Sequence, residues 1–401
     1  MRILQINSVA NSGSTGRIAE EIGNVLLDHG HDSYIAYGRG NAISSSHLIK
    51  IGSDKDVYLH GAYTLMTDKH GFASMSATQK FIKDIENINL DLIALHNLHG
   101  YYIHLPTLFD FINKLNVPVV WTLFDCWAFT GHCSYFDDIG CEKWKNHCFS
   151  CPKYKNYPSS WIDNSFFNFE EKRKFFSSVN NMEIIAHSNW LGNLLRDSFL
   201  KKYKVHVTPS GINLDLFKPI ESNLKDRFKI GEKKVILGCA NNWSSRKGYQ
   251  DFIALSKLLE DEYQIVMVGL TVNEIKALPN NVIGLQRTES IEELAQWYSL
   301  SYVFVNPTSQ DNFPTTNLEA LACGTPVITY KTGGSPEALD QDTGFVVNKG
   351  DVKGIIECIF NLNRLNYDNI SKACRARAER FYDRKTCYLD YINVFEGMLK
   401  R

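Results

Sequence analysis

Two acidic residues lie eight positions apart in a segment that suits contact with an anion. Asp311 closes a polar loop after a short apolar strand, and Glu319 lies about one turn along the helix that begins near Pro314. Because proline in the first helical turn leaves nearby amides unbonded, the N–H groups of Thr315 and Thr316 could face a phosphate. Glu319 could then accept both hydroxyls of a ribose while Asp311 faces a sugar. With 44 acidic residues in the chain such spacing also arises by chance, so the strand, loop and helix context carries this interpretation.

Two adjacent cations follow a second predicted strand. Arg246 and Lys247 lie in the polar stretch 241–248, which opens a helix. At the end of a strand they could neutralise a diphosphate leaving group, the role that a metal ion has in other enzymes. The alternative is a pair of cations that faces solvent.

A glycine-containing loop follows the first predicted strand and includes Gly13, Ser14 and Gly16. Glycine turns at strand ends bring backbone N–H groups close to anions, so this loop is a candidate phosphate contact. It is neither a P-loop nor a GxGxxG motif, and an ordinary helix cap is the alternative.

Four of the ten cysteines fall within nineteen residues, at Cys133, Cys141, Cys148 and Cys151. Four thiolates could form a tetrahedral zinc site with a structural role. The spacing is not that of a standard zinc ribbon, so reduced thiols or a disulfide stay open as alternatives. No cofactor is expected for catalysis itself.

Two stretches, 166–176 and 190–203, combine aromatic residues with cations. As helices they would place these cations beside apolar rings, which is typical of peripheral membrane contact. Ordinary amphipathic helices packed on a sheet are the alternative. The cations are Lys172, Arg173, Lys174, Arg196, Lys201 and Lys202.

The charge of the chain is balanced, with 43 Lys and Arg against 44 Asp and Glu. This balance gives no global basic field and so excludes nucleic acid as the main partner. The first residues lack the pattern of a signal peptide, and no apolar run approaches the roughly 18 residues of a membrane span. A cytoplasmic protein is therefore expected, and its 401 residues exceed what one hydrophobic core usually supports.

Short apolar strands alternate with helical patterns in both halves of the chain, which is typical of parallel βαβ units. The alternation stops near the turn 209–211 and resumes at 235–239. The sequence therefore predicts an α/β protein with an N-terminal domain over 1–215 and a C-terminal domain over 216–385. The predicted strands are 3–6, 92–96, 117–123, 235–239, 264–268, 282–285, 302–305 and 327–329.

The segment from Arg246 and Lys247 through Asp311 and Glu319 to the run 322–327 resembles family 4 glycosyltransferases, whose signature is E-x7-E. The resemblance covers nearly the whole chain. It implies the GT-B fold, in which two Rossmann-like doubly wound domains face each other across a cleft, with the nucleotide-sugar donor on the C-terminal domain and the acceptor on the N-terminal one.

The runs 95–100 and 122–133 resemble the subgroup that builds bacterial capsular and exopolysaccharides. Two positions depart from the family pattern. The first signature glutamate is Asp311 here, and Phe124 occupies the histidine position of the T-L-H-D run. The work of that histidine is therefore expected from Asp125, His96, His99 or His132.

Near the C-terminus, apolar residues recur at spacings of three and four, which predicts an amphipathic helix. In the GT-B resemblance this terminal helix returns to the N-terminal domain, so residues 386–401 are expected to complete that domain. The apolar stripe consists of Tyr388, Ile392, Phe395 and Leu399.

The resemblance implies a retaining, metal-independent transferase that moves a sugar from a UDP- or GDP-linked donor to a glycan or lipid-linked saccharide. A sugar-nucleotide epimerase or other GT-B enzyme, and a non-catalytic sugar-nucleotide-binding protein, are the alternatives. The expected catalytic residues are Asp311, Lys247, Arg246 and Asp125. The expected donor-binding residues are Gly13, Ser14, Gly16, Arg246, Lys247, Asn312, Phe313, Pro314, Thr315, Thr316 and Glu319. The expected acceptor-side residues are His96, His99, Asp125 and His132.

Overall fold

The computed structural model describes residues 1–400, which divide into two compact units. Unit 1 contains Met1–Pro209 and the chain from Tyr388 onward, and unit 2 contains Ser210–Cys387. The chain changes unit a few residues before the expected position. The reason is a backbone pairing: the N–H of Ile212 donates to the carbonyl of Tyr382 at 2.7 Å, which holds the residues after 209 in unit 2.

Unit 1 is built on a parallel sheet whose seven strands are β1 (Arg2–Val9), β2 (Asp32–Arg39), β3 (His47–Lys50), β4 (Leu92–Leu95), β5 (Val119–Leu123), β6 (Met182–Ala186) and β7 (Lys204–Val207). Their order across the sheet is β3-β2-β1-β4-β5-β6-β7. The helices between them are α1 (Gly13–Asp28), α2 (Asp54–Thr67), α3 (Met75–Ile85), α4 (Leu105–Leu115), α5 (Ser165–Phe176) and α6 (Asn189–Asp197).

The central strands of unit 1 are apolar on both faces. Every residue of β4 and β5 is buried. Successive side chains of β4 belong to different apolar clusters, Leu92 and Ala94 to one and Ile93 and Leu95 to the other. Burial on both faces explains why these strands are continuous apolar runs rather than alternating ones.

Unit 2 has a parallel sheet of six strands, β8 (Lys234–Cys239), β9 (Tyr263–Val268), β10 (Val282–Leu285), β11 (Val303–Asn306), β12 (Val327–Tyr330) and β13 (Gly344–Val347). Their order is β10-β9-β8-β11-β12-β13. The helices are α7 (Leu224–Arg227), α8 (Tyr249–Leu258), α9 (Val272–Lys276), α10 (Ile291–Leu300), α11 (Thr315–Ala322), α12 (Val352–Leu362) and α13 (Tyr367–Phe381).

The last helix, α14 (Arg384–Leu399), begins in unit 2, and its residues from Tyr388 onward pack in unit 1. They share an apolar cluster with Ile3 of β1 and Ile22 of α1. Leu399 lies outside this cluster and is 36% exposed, because Met398 faces the core instead. The residues of the helix that belong to this cluster are Tyr388, Tyr391, Ile392, Phe395 and Met398.

The predicted α/β class and the two doubly wound sheets are confirmed. Each predicted strand corresponds to a strand of the structure, whereas β2, β3, β6, β7 and β13 were not among those predicted. Three of these five, β3, β7 and β13, are edge strands of four residues that are only partly buried, so their apolar signal is weak. Within residues 1–400, no helix combines the length and the apolar character needed to cross a membrane.

Candidate active site

Unit 2 has a topological switch point between the neighbouring strands β8 and β11, because the chain continues from them toward opposite edges of the sheet. Open α/β sheets bind ligands outside the carboxyl ends of their strands at such points. Lys247 follows β8 and Asp311 follows β11, and Nζ lies 2.5 Å from Oδ2. The two side chains are 24% and 18% exposed, so both are reachable from solvent.

Backbone contacts hold the two loops that carry this pair together. The guanidinium of Arg246 donates to the carbonyl of Gln310 at 2.8 Å, and the N–H of Ser309 donates to the carbonyl of Arg246 at 2.8 Å. Gly248 has a φ of +79°, and a Cβ there would lie 2.3 Å from the ring of Pro307 on the other loop. The close approach of these loops therefore depends on glycine.

Helix α11 begins at Thr315, with Pro314 as its N-cap rather than in its first turn as predicted. Proline has no side chain that caps a helix, and none caps α11. A buried network fixes the start of this helix: Asn306 donates to Asn317 at 2.7 Å, and Asn317 donates to the hydroxyl of Ser335 at 3.1 Å. The N-terminus of α11 is therefore rigidly placed beside the ends of β11 and β12.

Glu319 lies on α11 with its carboxylate held by a buried tyrosine. The hydroxyl of Tyr298 on α10 donates to Oε2 of Glu319 at 2.8 Å. Burial, and after it the charge of Glu319, raise the pKa of the thiol of Cys239, the last residue of β8, to about 12. Glu319 is half-buried, so a carboxylate of fixed orientation is presented at the carboxyl end of β8.

In unit 1 the glycine-containing loop lies at the start of α1. Gly13 and Ser14 are exposed at the helix N-terminus, and Ser12 makes no side-chain cap bond. Gly16 is buried: its carbonyl accepts from the N–H of Asn11 at 3.1 Å, and a Cβ there would lie 3.0 Å from Val9. Gly13 and Ser14 are therefore accessible to a ligand, whereas Gly16 is buried and allows the turn before α1 to pack against Val9.

Two of the predicted acceptor-side histidines lie inside the core of unit 1. His96 contacts the amide oxygen of Gln5 at 2.9 Å, and burial lowers the pKa of its imidazole to about 3. His132 is fully enclosed and contacts Asp68 at 2.5 Å. Neither side chain is open to a substrate, so neither placement fits the predicted role.

The other two predicted acceptor-side residues contact each other at the surface of unit 1. His99 follows β4 and Asp125 follows β5, and Nε2 lies 2.8 Å from Oδ2. The second ring nitrogen of His99 lies 2.9 Å from the hydroxyl of Tyr157, a residue that the sequence did not single out. Phe124 is half-buried beside His187, which follows β6.

The four clustered cysteines line one small cavity of unit 1. All ten cysteines are free thiols. A hydrogen bond between Cys133 and Cys151 raises the pKa of the Cys133 thiol and lowers that of Cys151 to about 7. Within residues 1–400, no three His, Cys, Asp or Glu side chains are grouped so that they could hold a metal ion. Cys133 and Cys151 form a hydrogen-bonded pair, with Cys141 and Cys148 beside it in the same cavity, and this arrangement is not a metal-ligand set. Zinc binding therefore stays a prediction.

Apart from Phe166, which is exposed, the two stretches predicted as membrane-facing helices bury most of their apolar residues. On α5, Phe169 and Phe176 belong to the core, and so do Leu191 and Leu195 on α6. Lys172 is also buried: it donates to the carbonyls of Trp127 and Thr130 at 2.9 and 3.1 Å, and burial lowers its pKa to about 7. These helices match the alternative of ordinary amphipathic helices.

Two family models match the chain. Glycosyltransferase Family 4 covers residues 15–216, half of the chain, and Glycosyl transferases group 1 covers residues 233–364. The chain belongs to glycosyltransferase family 4. In this glycosyltransferase the two acidic residues that resemble the family signature are Asp311, on the loop after β11, and Glu319, within α11.

Full-length likenesses agree with this family. The putative colanic acid biosynthesis glycosyl transferase WcaC of Escherichia coli (strain K12) is 24% identical over 430 residues, which cover 99% of this chain and 100% of that protein. Sucrose-phosphate synthase from Thermosynechococcus elongatus has a TM-score of 0.75 at 16% identity, covering 100% of this glycosyltransferase and 99% of that chain. Anabaena HepE, solved with UDP-glucose, has a TM-score of 0.70 at 14% identity, covering 99% and 100%. The structural likenesses show the GT-B fold.

Proposed function

We propose that this glycosyltransferase moves a sugar from a nucleotide-linked donor with retention of configuration, and that Lys247 and Arg246 meet the donor diphosphate in place of a metal ion. The contact between Lys247 and Asp311 at the switch point of unit 2 carries the proposal. This contact places the ammonium group of Lys247, which can bind a phosphate, next to the carboxylate of Asp311, which can accept from a sugar hydroxyl.

The charges of this pair suit the departure of a nucleoside diphosphate. As the bond from the anomeric carbon to the diphosphate breaks, negative charge grows on the leaving oxygen, and a fixed cation stabilises that state more than the bound donor. Lys247 is held by Asp311 before any donor binds, so little reorganisation is needed. Asp311, with the amides of Asn312 and Phe313, then faces the sugar.

The nucleoside is assigned to Glu319 and the start of α11. Two acceptor oxygens on one carboxylate match the paired hydroxyls of a ribose, and the bond from Tyr298 fixes their direction. The N-terminal amides of α11, at Thr315 and Thr316, complement the phosphates next to that ribose.

We assign the acceptor to a glycan or lipid-linked saccharide of surface polysaccharide biosynthesis. WcaC, which matches this chain over its whole length, is named for colanic acid biosynthesis. A UDP- or GDP-linked sugar is proposed as donor, and the likeness to HepE solved with UDP-glucose favours the uridine form.

A thermal-shift screen of UDP- and GDP-linked sugars tests the donor assignment. A ligand at about a hundred times its dissociation constant stabilises a protein by about 2.7 kcal/mol, so a true donor stands out. NMR of the transfer product then gives the anomeric configuration. Donor turnover that needs no acceptor would indicate an epimerase, and donor binding without turnover under any acceptor would indicate a binding protein.

We also propose peripheral contact with an anionic membrane, at a patch that includes the start of the first helix expected, α5, and the chain before it. Phe149, Trp161, Ile162 and Phe166 each expose about half or more of their surface. The ring of Phe166 lies 4.1 Å from that of His147, two residues before Phe149. The segments around Phe149 and Phe166 are therefore neighbours.

Cations surround this patch. Nζ of Lys143 lies 4.6 Å from the centroid of the Phe149 ring, Lys145 on the same excursion is half-buried, and Arg173 on α5 is exposed. Exposed rings with a rim of lysine and arginine complement the headgroups of anionic lipids.

Co-sedimentation with lipid vesicles tests the membrane proposal. We expect the protein to bind vesicles of phosphatidylcholine mixed with phosphatidylglycerol but not phosphatidylcholine alone. The double variant Trp161→Ser and Phe166→Ser should lose this binding, while Phe381→Ser, at an exposed ring of unit 2, should keep it. Equal binding by all three proteins would contradict the patch.

A further inference from the structure

A carboxylate, an imidazole and a phenol form a hydrogen-bonded chain on unit 1. Asp125 contacts His99, and His99 contacts Tyr157, at 2.8 and 2.9 Å. A carboxylate only accepts hydrogen bonds, so Nε2 of His99 is protonated and its N–H donates to Asp125. In the neutral imidazole Nδ1 must then accept from Tyr157. The phenolic oxygen of Tyr157 keeps its lone pairs for another donor, and the Asp125 carboxylate keeps part of its accepting capacity, since the N–H of Trp127 takes one further position.

Tyr157 is oriented opposite to the usual surface tyrosine. A surface tyrosine normally buries its ring and leaves its hydroxyl in water. Here the residue is 44% exposed, while its hydroxyl is bonded to His99 and burial raises its pKa above the ordinary range. The hydroxyl of this exposed residue is therefore held by the protein rather than left to water.

Other rings form a wall around Tyr157. Its centroid lies 6.1 Å from Tyr101, 5.6 Å from His99 and 6.0 Å from His70. Tyr101 is half-buried, whereas His70 and Trp127 are almost fully buried beneath the cluster. Two tyrosine rings thus form its open side.

The backbone of this loop is held in an unusual conformation. Tyr101 has a φ of +67°, in the left-handed region that residues other than glycine rarely adopt. Gly100 before it has a φ of +126°, and a Cβ there would lie 2.9 Å from Ser8 of β1. Such strain persists where surrounding structure fixes it, and it clusters at ligand sites.

The cluster also lies where a ligand is expected in unit 1. Its members His99 and Tyr101 follow β4, and Asp125 follows β5. The switch point of this sheet is between β1 and β4.

We infer that Tyr157 forms a stacking platform for the acceptor saccharide with Tyr101, whose ring is inclined to it by 77°, as a side wall, and that His99 is a positioning residue that holds Tyr157 and Asp125 toward the hydroxyl groups of that saccharide. A pyranose ring has an apolar face of C–H bonds and an edge of hydroxyls. The face matches the tyrosine rings, and the edge matches the phenolic oxygen and the carboxylate. The inference rests on the proposed transfer reaction and adds to it the residues that select the acceptor.

Binding of simple glycosides tests the platform without relying on activity. In saturation-transfer NMR with methyl β-D-glucoside and methyl β-D-galactoside, UDP being present, we expect transfer to the ring C–H protons of at least one glycoside. Tyr157→Ala should abolish this transfer, and Tyr157→Phe should keep most of it because the ring remains. Phe381→Ala, at a ring of similar exposure in unit 2, is the control. No transfer in the wild type, or undiminished transfer in Tyr157→Ala, would overturn the platform.

Kinetics test the positioning role. Tyr157→Ala should raise the acceptor KM by roughly tenfold with the donor KM unchanged. His99→Gln can keep only one of the two bonds, so it should raise the acceptor KM without lowering the melting temperature or donor binding. A fall in donor binding equal to the loss of acceptor affinity would overturn the assignment. Failure of the donor proposal would look different, because glycosides would still bind while no sugar nucleotide stabilised the protein.

Discussion

The imidazole of His187 is stacked on the ring of Phe124, with centroids 5.0 Å apart and an interplanar angle of 25°. Phe124 occupies the position at which the family resemblance expects a histidine. The fold thus places His187, which follows β6, beside Phe124, the position where the family pattern has a histidine. It is buried and lies 3.3 Å from the hydroxyl of Tyr391 on α14.

Buried histidines predict loss of stability in acid. Burial lowers the pKa of His187 to about 4 and that of His96 to about 3. In the unfolded chain histidine has a pKa of about 6.5, so below that pH the unfolded state binds protons that the native state does not bind. The free energy of unfolding therefore falls as pH drops from about 6.5 toward 4. Each histidine contributes a slope of at most about 1.4 kcal/mol per pH unit. His187→Gln should flatten the slope in urea unfolding, and the exposed His29→Gln serves as control. Equal slopes in all proteins would contradict this.

Lys247→Ala should lower kcat by roughly 10²- to 10³-fold and change donor affinity much less, because the charge that Lys247 meets grows as the diphosphate leaves. Single-turnover rates and donor titration separate the two effects. Stability should change by at most about 1 kcal/mol, since the pair with Asp311 is partly exposed. Lys257→Ala, at an exposed position of α8, is the matched control. Activity that survives in Lys247→Ala but disappears with chelators would show a metal-assisted leaving group.

Glu319→Gln should weaken donor binding, raising the donor KM by roughly tenfold or more. The amide keeps the shape and an acceptor for Tyr298 but loses charge-assisted acceptance of two ribose hydroxyls. Initial rates at varied donor concentration measure the effect. Glu357→Gln, exposed on α12, controls for loss of a carboxylate. Full activity with an unchanged donor KM would remove Glu319 from the nucleoside site.

For the cysteine cluster the prediction from sequence is one zinc per chain, which the four thiols would have to regroup to bind, and which is lost together with thermal stability when Cys148 and Cys151 are both replaced by serine. Elemental analysis and a melting curve on protein purified under reducing conditions measure both. Cys358→Ser, outside the cluster, is the control. If the protein contains no metal, the cluster is instead a set of reduced thiols in which Cys133 and Cys151 are hydrogen-bonded.

The unit 2 site could be predicted because its parts are local in sequence. Asp311, the turn at Pro314 and Glu319 all lie on one loop and the helix that follows, so spacing alone places them. The cap position of Pro314 differed from the predicted first turn by one residue. The roles of Tyr298 and Asn317 could not be predicted, because the sequence of an amphipathic helix does not show which of its polar side chains hydrogen-bond a neighbour.

The unit 1 site was harder because burial decides it. His96, His99 and His132 follow strands in the same way in the sequence, yet only His99 of the three is open to solvent. Spacing does not show which side of a loop faces the core. Tyr157 lies in an irregular excursion between β5 and α5, where no periodicity indicates orientation, and the exposed rings of the same excursion were missed for the same reason.

The residues from Tyr388 onward cover apolar side chains of β1 and α1, which are synthesised first. A ribosome must therefore make all of Ser210–Cys387 after the rest of unit 1 has emerged. At about 5–20 residues per second this interval lasts roughly ten to forty seconds. During it the first sheet has Ile3 and Ile22 without their partner helix, so a nascent chain of this protein passes through a stage that general chaperones would recognise.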